Sequence, residues 1–181
     1  MMFFKSNEFK MVLCLVVIAV AVAGVMAVVN DLTSGKIEQN LANQLTESLQ
    51  EVLPADSYDV LKETDTETVY EAKKDGNGIG YLVVNIEKGY GGDVKVLTGV
   101  KQDGTVSKVK ILEHGETPGL GANAEKDNFI SQFNGKTKGV EVVKSKADGN
   151  KISAISGATI TSSAVTRAVN TAINLAEEAG K

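Results

Sequence analysis

The feature that most constrains this chain is a long apolar segment near its N-terminus. Between Lys10 and Asp31 no side chain carries a charge, and residues 11–29 are almost entirely Val, Ala, Leu, Ile and Met. As an α-helix these residues extend about 28 Å at roughly 1.5 Å per residue. This length is close to the ~30 Å hydrocarbon core of a bilayer. The sequence therefore predicts a transmembrane helix over residues 11–30.

A cleaved signal peptide is the alternative to a retained anchor. Residues 21–23 and 25–27 imitate the small-residue sites at which signal peptides are cut. The apolar run is nevertheless longer than the hydrophobic region of a signal peptide, which reaches about 15 residues. A lipoprotein is excluded because Cys14 lies too early within the run. We therefore expect a single-pass anchor in the cell (inner) membrane.

The lysines around the span predict its orientation. Lys5 and Lys10 precede the span, whereas Lys36 is the only lysine that follows it closely. Positively charged residues beside a span tend to stay on the cytoplasmic side. The sequence therefore predicts a cytoplasmic segment at residues 1–10 and an extracytoplasmic location for everything after the span.

The composition excludes several classes of protein. The formal net charge is −4, the isoelectric point is about 5.1, and Arg167 is the only arginine. Nucleic-acid-binding domains carry dense basic patches, so no nucleic-acid partner is expected. His114 and Cys14 are the only histidine and the only cysteine, which excludes a histidine-based metal cluster and an intramolecular disulfide. No metal site is expected.

After the span, the sequence predicts an amphipathic connecting helix over residues 31–54 that ends at Pro54. Its apolar residues at mostly helical spacing are Leu32, Ile37, Leu41, Leu45, Leu49 and Val52. We interpret this apolar face as a packing face, with contact to a partner subunit as the alternative.

Residues 55–181 have the pattern of an α+β domain with a mostly antiparallel sheet and a C-terminal helix. Short β-like runs alternate with turns, and Asp103-Gly104 is typical of a hairpin turn. The predicted strands cover residues 69–73, 79–87, 93–101, 105–113 and 140–144. The predicted helices cover residues 126–133 and 159–178, and the second has one apolar face.

The segment from Ser153 to Ser163 has the pattern of a phosphate site. Ser156 and Gly157 predict a tight turn, after which a helix begins at about Thr159. A helix start offers unpaired backbone N–H groups and a positive dipole end to an anion. Small residues at the turn let the backbone approach that anion closely. The hydroxyl groups that could add donors belong to Thr159, Thr161 and Ser162. The alternative is that a hydroxyl residue here only caps the helix.

Three motifs in this sequence carry a resemblance to a known family. Ser156-Gly157-Ala158-Thr159 resembles the motif of the FMN-binding domain family, in which the threonine is esterified to the FMN phosphate. Gly-Tyr-Gly-Gly at 89–92 and Glu-Thr-Pro-Gly-Leu-Gly at 116–121 resemble the G subunits of Rnf complexes, in the same order and spacing. With the anchor, this resemblance covers essentially the whole chain. The C subunit of the sodium-translocating NADH:quinone reductase is similar, more distantly.

The resemblance implies covalent FMN on Thr159, held by the turn and helix start that include Ser156, Gly157 and Ala158. It also implies that the 116–121 segment forms a wall of the flavin pocket. Glu116 is the first residue of this segment. Thr117 would hydrogen-bond the flavin ring, and Leu120 would pack on the ring. For Tyr90 there are two alternatives, packing in the core and contact with the flavin. One position departs from the family, because Ser153 stands where an Asp usually precedes the Ser-Gly pair.

The resemblance implies an electron-carrier subunit of a membrane-bound Rnf-type complex. Such a complex couples electron transfer between ferredoxin and NAD⁺ to Na⁺ or H⁺ transport, and this subunit has no catalytic residues or complete activity of its own. The expected partners are the other membrane subunits, a flavin transferase for maturation and membrane lipid. Two alternatives stay open: the anchored FMN domain of another extracellular reductase, and a non-redox membrane-anchored interaction domain.

Overall fold

The computed structural model describes residues 7–181, so Lys5, which contributes to the predicted orientation, lies outside them. The side chain of Ile37, part of the predicted apolar face, also lies outside the described set. The chain forms two compact units: one ends at Thr46, and the other is Glu47–Lys181. The predicted domain start at residue 55 stays a prediction.

The first element is one long helix, α1 (Asn7–Val52). Its segment Phe9–Thr33 contains an 18-residue stretch with a mean hydropathy of 3.2 and is long and apolar enough to cross a bilayer. This segment contains the predicted span at 11–30. The helix continues from the apolar segment without a break to Val52, and the predicted connecting helix at 31–54 stays a prediction. The helix stops before Pro54, because a residue that precedes proline disfavours the helical conformation.

We expect a charge in the middle of this apolar segment to impair membrane insertion. The Val20→Arg variant places a cation near the bilayer centre, which costs about 3 kcal/mol on insertion scales. Most of the variant chain should then be lost from the membrane fraction of cells, measured by immunoblot after an alkaline wash. Val20→Leu is the matched control and should insert normally. Equal membrane recovery of the arginine variant would contradict a spanning role.

The second unit contains a five-stranded antiparallel sheet in which each strand pairs with the next along the chain. The strands are β1 (Ser57–Glu63), β2 (Glu67–Lys74), β3 (Asn77–Lys88), β4 (Asp93–Lys101) and β5 (Val106–His114). The predicted hairpin is confirmed, because β4 and β5 pair around residues 102–105. The first strand was missed, since most of its residues are exposed and its pattern lacks an apolar face.

The remaining elements connect the sheet to a final helix. They are a 3₁₀ turn (Gly121–Glu125), α2 (Asp127–Ile130), a second 3₁₀ turn (Ser131–Phe133), a parallel pair β6 (Glu141–Val143) and β7 (Lys151–Ser153), and α3 (Thr159–Ala179). The predicted helix at 126–133 is therefore a short α-helical turn followed by a 3₁₀ turn. The predicted C-terminal helix is confirmed.

The sheet is covered on both faces within the second unit. Helix α3 packs on one face through small and β-branched residues, and Val165, Ala168 and Val169 are fully buried. The last turn of α1 covers the opposite face, where Val52 lies against Gly99 of β4. Beside it, Glu51 accepts hydrogen bonds from Lys108 and Lys110 of β5, which lower the pKa of Glu51 to about 2. The end of the long helix is thus part of the domain core.

Two buried polar atoms face α3 without a hydrogen-bond partner among residues 7–181: Asn85 Oδ1 and Thr98 Oγ1. An unpaired buried hydroxyl costs free energy, so removing it stabilises the fold. We expect Thr98→Val to raise the free energy of unfolding of the 47–181 unit by about 1 kcal/mol in urea titrations. The control is Thr166→Val, in which the same change removes a buried hydroxyl that is paired, since it donates to Ser162 O at 2.9 Å. A loss of stability in the Thr98 variant would show that its hydroxyl is satisfied.

Candidate cofactor site

A cavity of about 410 Å³ lies where three segments meet: the loop after β3, the loop after β5 and the start of α3. Its lining contains eight of the ten residues singled out from the sequence: Tyr90, Glu116, Thr117, Leu120, Gly157, Ala158, Thr159 and Thr161. Gly121 and Ile160 complete the lining. The structure therefore brings together motifs that are up to 70 residues apart in the chain (89–92 against 156–159). Ser156 and Ser162 do not line this cavity.

The turn before α3 exposes the hydroxyl of Thr159. Gly157 has a φ of +77°, a conformation that favours glycine, and a Cβ there would lie 3.2 Å from Leu120 Cδ2. Ala158 occupies the cap position of α3, and no described side chain caps the helix. Thr159 is the first helical residue and is exposed, and its hydroxyl has no hydrogen-bond partner among residues 7–181. Capping therefore does not explain this threonine.

The two other predicted hydroxyl donors are committed to protein groups. Thr161 is buried and donates to Glu116 Oε2 at 2.8 Å. Ser162 is fully buried, donates to Ala158 O at 2.9 Å and accepts from Ile155 N at 3.0 Å. Both hydroxyls hold the turn and the first turn of the helix in place. Of the three residues, Thr159 is the one that lines the cavity with a hydroxyl that has no partner among residues 7–181.

Glu116 joins the three segments around the cavity. Its side chain is buried, and Oε1 accepts hydrogen bonds from Tyr90 N at 2.7 Å and from Gly91 N at 3.1 Å. Its other oxygen accepts from Thr161 in α3. A carboxylate that accepts several hydrogen bonds is a strong structural anchor. The sequence indicated Glu116 as part of a pocket wall but gave no signal for these partners, which are 25, 26 and 45 residues away.

Large apolar side chains surround the mouth of the cavity. Tyr90 is 74% exposed, Leu120 is 47% exposed and Ile160 is 54% exposed. Tyr90 therefore does not pack in the core, and its contact with a flavin stays a prediction. Exposed apolar groups that converge on a cavity are typical of ligand sites, and the volume lies within their usual range.

Neither His114 nor Ser153 lines the cavity. His114 Nδ1 accepts from Glu116 N at 3.1 Å, and Nε2 lies 2.9 Å from Glu125 Oε1. This histidine therefore supports the loop that carries Glu116. Ser153 ends β7 and lies outside the cavity lining, where its hydroxyl donates to Ser145 O at 3.0 Å. Among residues 7–181, no group of three or more His, Cys, Asp or Glu side chains has a metal-binding arrangement.

The site fits a flavin mononucleotide. The apolar rim suits a planar aromatic ring, and the start of α3 offers backbone N–H groups to a phosphate. Thr159 places a free hydroxyl at the same helix start. The described residues of the lining include no lysine or arginine, so the helix start is the element that would hold the phosphate. The apolar rim for the ring and the helix start for the phosphate are thus separate parts of one site.

Comparisons with known proteins agree with this fit. Residues 89–174 match the model of the FMN-binding domain, and residues 2–52 match that of the RnfG N-terminal region. The C subunit of the Na⁺-translocating NADH-quinone reductase from Parabacteroides distasonis, a solved structure, is 32% identical with a TM-score of 0.50. That likeness covers 59% of this chain and 59% of the solved one, less than two thirds of either.

Two relatives match nearly the whole chain. The G subunit of the Na⁺-translocating ferredoxin:NAD⁺ oxidoreductase complex of Acetobacterium woodii is 37% identical, over 96% of this chain and 93% of its own length. The G subunit of the ion-translocating oxidoreductase complex of Shewanella piezotolerans is 32% identical, over 93% of this chain and 89% of its own length. The chain therefore belongs to the Rnf complex G-subunit family, with an FMN-binding domain behind an N-terminal membrane helix.

Proposed function

We propose that this chain is the electron-carrier subunit of a membrane-bound Rnf-type complex and carries FMN esterified to Thr159. The complex would move electrons between ferredoxin and NAD⁺ and couple this transfer to Na⁺ or H⁺ transport. The observation that carries the proposal is that Thr159, an exposed residue at the start of α3, lines an apolar-rimmed cavity and has a hydroxyl without a partner among residues 7–181. The name of the Acetobacterium woodii G subunit supports the ferredoxin and NAD⁺ reaction, and the name of the Shewanella piezotolerans G subunit supports the coupling to ion transport.

Each element of the site has a separate task in this proposal. Thr159 provides the oxygen of the phosphoester, and the turn at Gly157 brings the backbone close to the phosphate. Thr117, Leu120 and Tyr90 hold the ring, and Glu116 fixes the loops that carry them. The flavin, when bound, supplies the redox chemistry, and the protein supplies position and environment.

A covalent tether suits a carrier outside the cytoplasm. A cofactor lost there would not be replaced, whereas an ester at an exposed hydroxyl keeps it in place. The exposure of Thr159 also leaves its hydroxyl accessible to the flavin transferase that would form the bond. We infer a cytoplasmic N-terminus at residues 1–10, a span at 11–30 in contact with lipid, and a flavin domain on the extracytoplasmic side. Lysines flanking the span support this orientation.

The proposed function is tested by assembling the complex. The chain is produced with the other Rnf subunits and a flavin transferase, and membranes are assayed for ferredoxin-dependent NAD⁺ reduction. We expect activity with the wild-type chain and loss of it with Thr159→Val, while both chains co-purify with the other subunits. Full activity with the valine variant would contradict an obligatory carrier role.

The same preparation separates the alternatives. A flavin-loaded chain that does not co-purify with the Rnf subunits would indicate the FMN domain of another reductase. A colourless chain that does co-purify would indicate a non-redox interaction domain. The proposed function requires both flavin and partners.

A further inference from the structure

We propose that the carboxylate of Glu116 lowers the reduction potential of the flavin held in this cavity. The inference rests on the proposed function, since it needs a flavin beside Glu116. It assigns to this residue a role in setting the potential, in addition to holding the loops together.

Among the described residues that line the cavity, Glu116 is the only charged one. Glu116 is only 7% exposed, so little water reaches its carboxylate. Within residues 7–181, no lysine, arginine or histidine forms an ion pair with it. Its partners are two backbone N–H groups and one hydroxyl, which carry no net charge. The cavity therefore has a fixed negative charge without a neutralising cation in the part of the chain that the structure describes.

A fixed negative charge disfavours the addition of electrons to a ring held beside it. The effect is stronger here than in water, because electrostatic interactions grow as the effective dielectric constant falls. The carboxylate should therefore shift the equilibrium towards the oxidised ring. If Glu116 only held the loops together, the reduction potential of the flavin would not depend on its charge.

The Glu116→Gln variant separates charge from hydrogen bonding. The glutamine carbonyl oxygen can accept from Tyr90 N and Gly91 N, as Oε1 does in the wild type. Its amide group can donate to the Thr161 hydroxyl oxygen, which reverses that bond without breaking it. The substitution has nearly the same shape and removes one charge.

The experiment measures the midpoint potential of the flavin-loaded protein by a redox titration followed through visible absorbance. At a fixed potential, we expect the ratio of reduced to oxidised flavin to rise at least tenfold in Glu116→Gln, about 30 mV for a two-electron couple. The control is Glu125→Gln, which removes a carboxylate that is 54% exposed and outside the cavity lining. The control should change the ratio less than twofold. An unchanged potential in a folded, loaded Glu116→Gln protein overturns the proposal.

Thr161→Val is a second and independent test, also decisive if Glu116→Gln is not recovered folded. This variant keeps the carboxylate but removes the hydroxyl that donates to its Oε2. The charge is then less compensated, so the potential should fall below that of the wild type. If Glu116 has only a structural role, the potentials of Glu116→Gln and Thr161→Val should shift in the same direction. If its charge sets the potential, they should shift in opposite directions. A rise in the Thr161→Val potential overturns the proposal.

Failure of the proposed function gives a different result. A wild-type protein without flavin would contradict the proposed function before any potential is measured. A wild-type protein with flavin and an unaltered potential in the variants would contradict only the role of Glu116.

Discussion

The Thr159→Val variant should fold normally and carry no covalent flavin. Valine has nearly the shape of threonine but lacks the hydroxyl, so it removes the one atom that an ester requires. The side chain is exposed at the first position of α3, and its hydroxyl makes no hydrogen bond within residues 7–181. The substitution therefore removes no side-chain hydrogen bond within the described residues. We expect the loss of covalent flavin to be complete and the change in unfolding free energy to stay within about 0.5 kcal/mol.

The measurement is ultraviolet fluorescence of the denatured protein on a gel, after co-production with a flavin transferase. Intact mass confirms whether one FMN is attached through its phosphate. Thr171→Val is the matched control, because it changes a threonine of the same helix that lies outside the cavity lining. A fluorescent wild type and control beside a dark Thr159 variant would establish the attachment site.

Two other outcomes have definite meanings. A fluorescent Thr159→Val band would place the ester on another residue and contradict the proposed site. Dark bands for all three proteins would point to Ser153, where the family usually has an Asp. In that case Ser153→Asp should restore fluorescence if the missing carboxylate blocks the transferase. A dark Ser153→Asp protein would argue against covalent attachment in this chain.

Local sequence patterns predicted most of the elements of the fold. The apolar run at 11–29 and the pattern of α3 depend on the chemistry of consecutive residues, which a single sequence contains. The strands of the central sheet were also predicted, except β1. That edge strand has mostly exposed residues, so it lacks the alternation that marks a half-buried strand.

The sequence indicated candidate residues for the site but not the hydrogen bonds between them. Motif resemblance indicated Glu116 and the pattern of a helix start indicated Thr161, but nothing in the sequence shows that they bond to each other across 45 residues. Such a contact depends on how loops meet in three dimensions. The exposure of Tyr90 was undetermined for the same reason, because a tyrosine suits both a core and a cofactor site. Long-range hydrogen bonds therefore required the structure.

The Gly121→Ala variant should disrupt the cavity by displacing Glu116. A Cβ at Gly121 would lie 2.8 Å from Glu116 Cβ and 2.8 Å from Thr161 Oγ1, and it would clash with Glu116 Oε2. Real Cβ atoms almost never have neighbours this close, so one of these groups must move. Glu116 cannot move without losing its hydrogen bonds to Tyr90, Gly91 or Thr161. Only glycine fits this position.

We expect Gly121→Ala to cost about 2–4 kcal/mol of unfolding free energy, from overpacking and from hydrogen bonds lost by a charged group. Flavin loading should fall at least tenfold, measured as the ratio of flavin absorbance to protein in purified material. Gly115→Ala is the matched control, because the nearest atom to its Cβ would be Gly91 O at 3.3 Å. The control should lose under about 1 kcal/mol and keep its flavin.

Unfolding free energy and flavin loading together show whether Glu116 supports the fold, the cofactor site or both. If Gly121→Ala loses stability and flavin together, the carboxylate and its three partners form the common support of the fold and the site. If the variant loses flavin but keeps its stability, the network serves the cofactor alone. A fully loaded and stable variant would show that the loops adapt to the displaced carboxylate, which would contradict its anchoring role. The geometry favours the first outcome, because the same three hydrogen bonds join the loop after β3, the loop after β5 and α3.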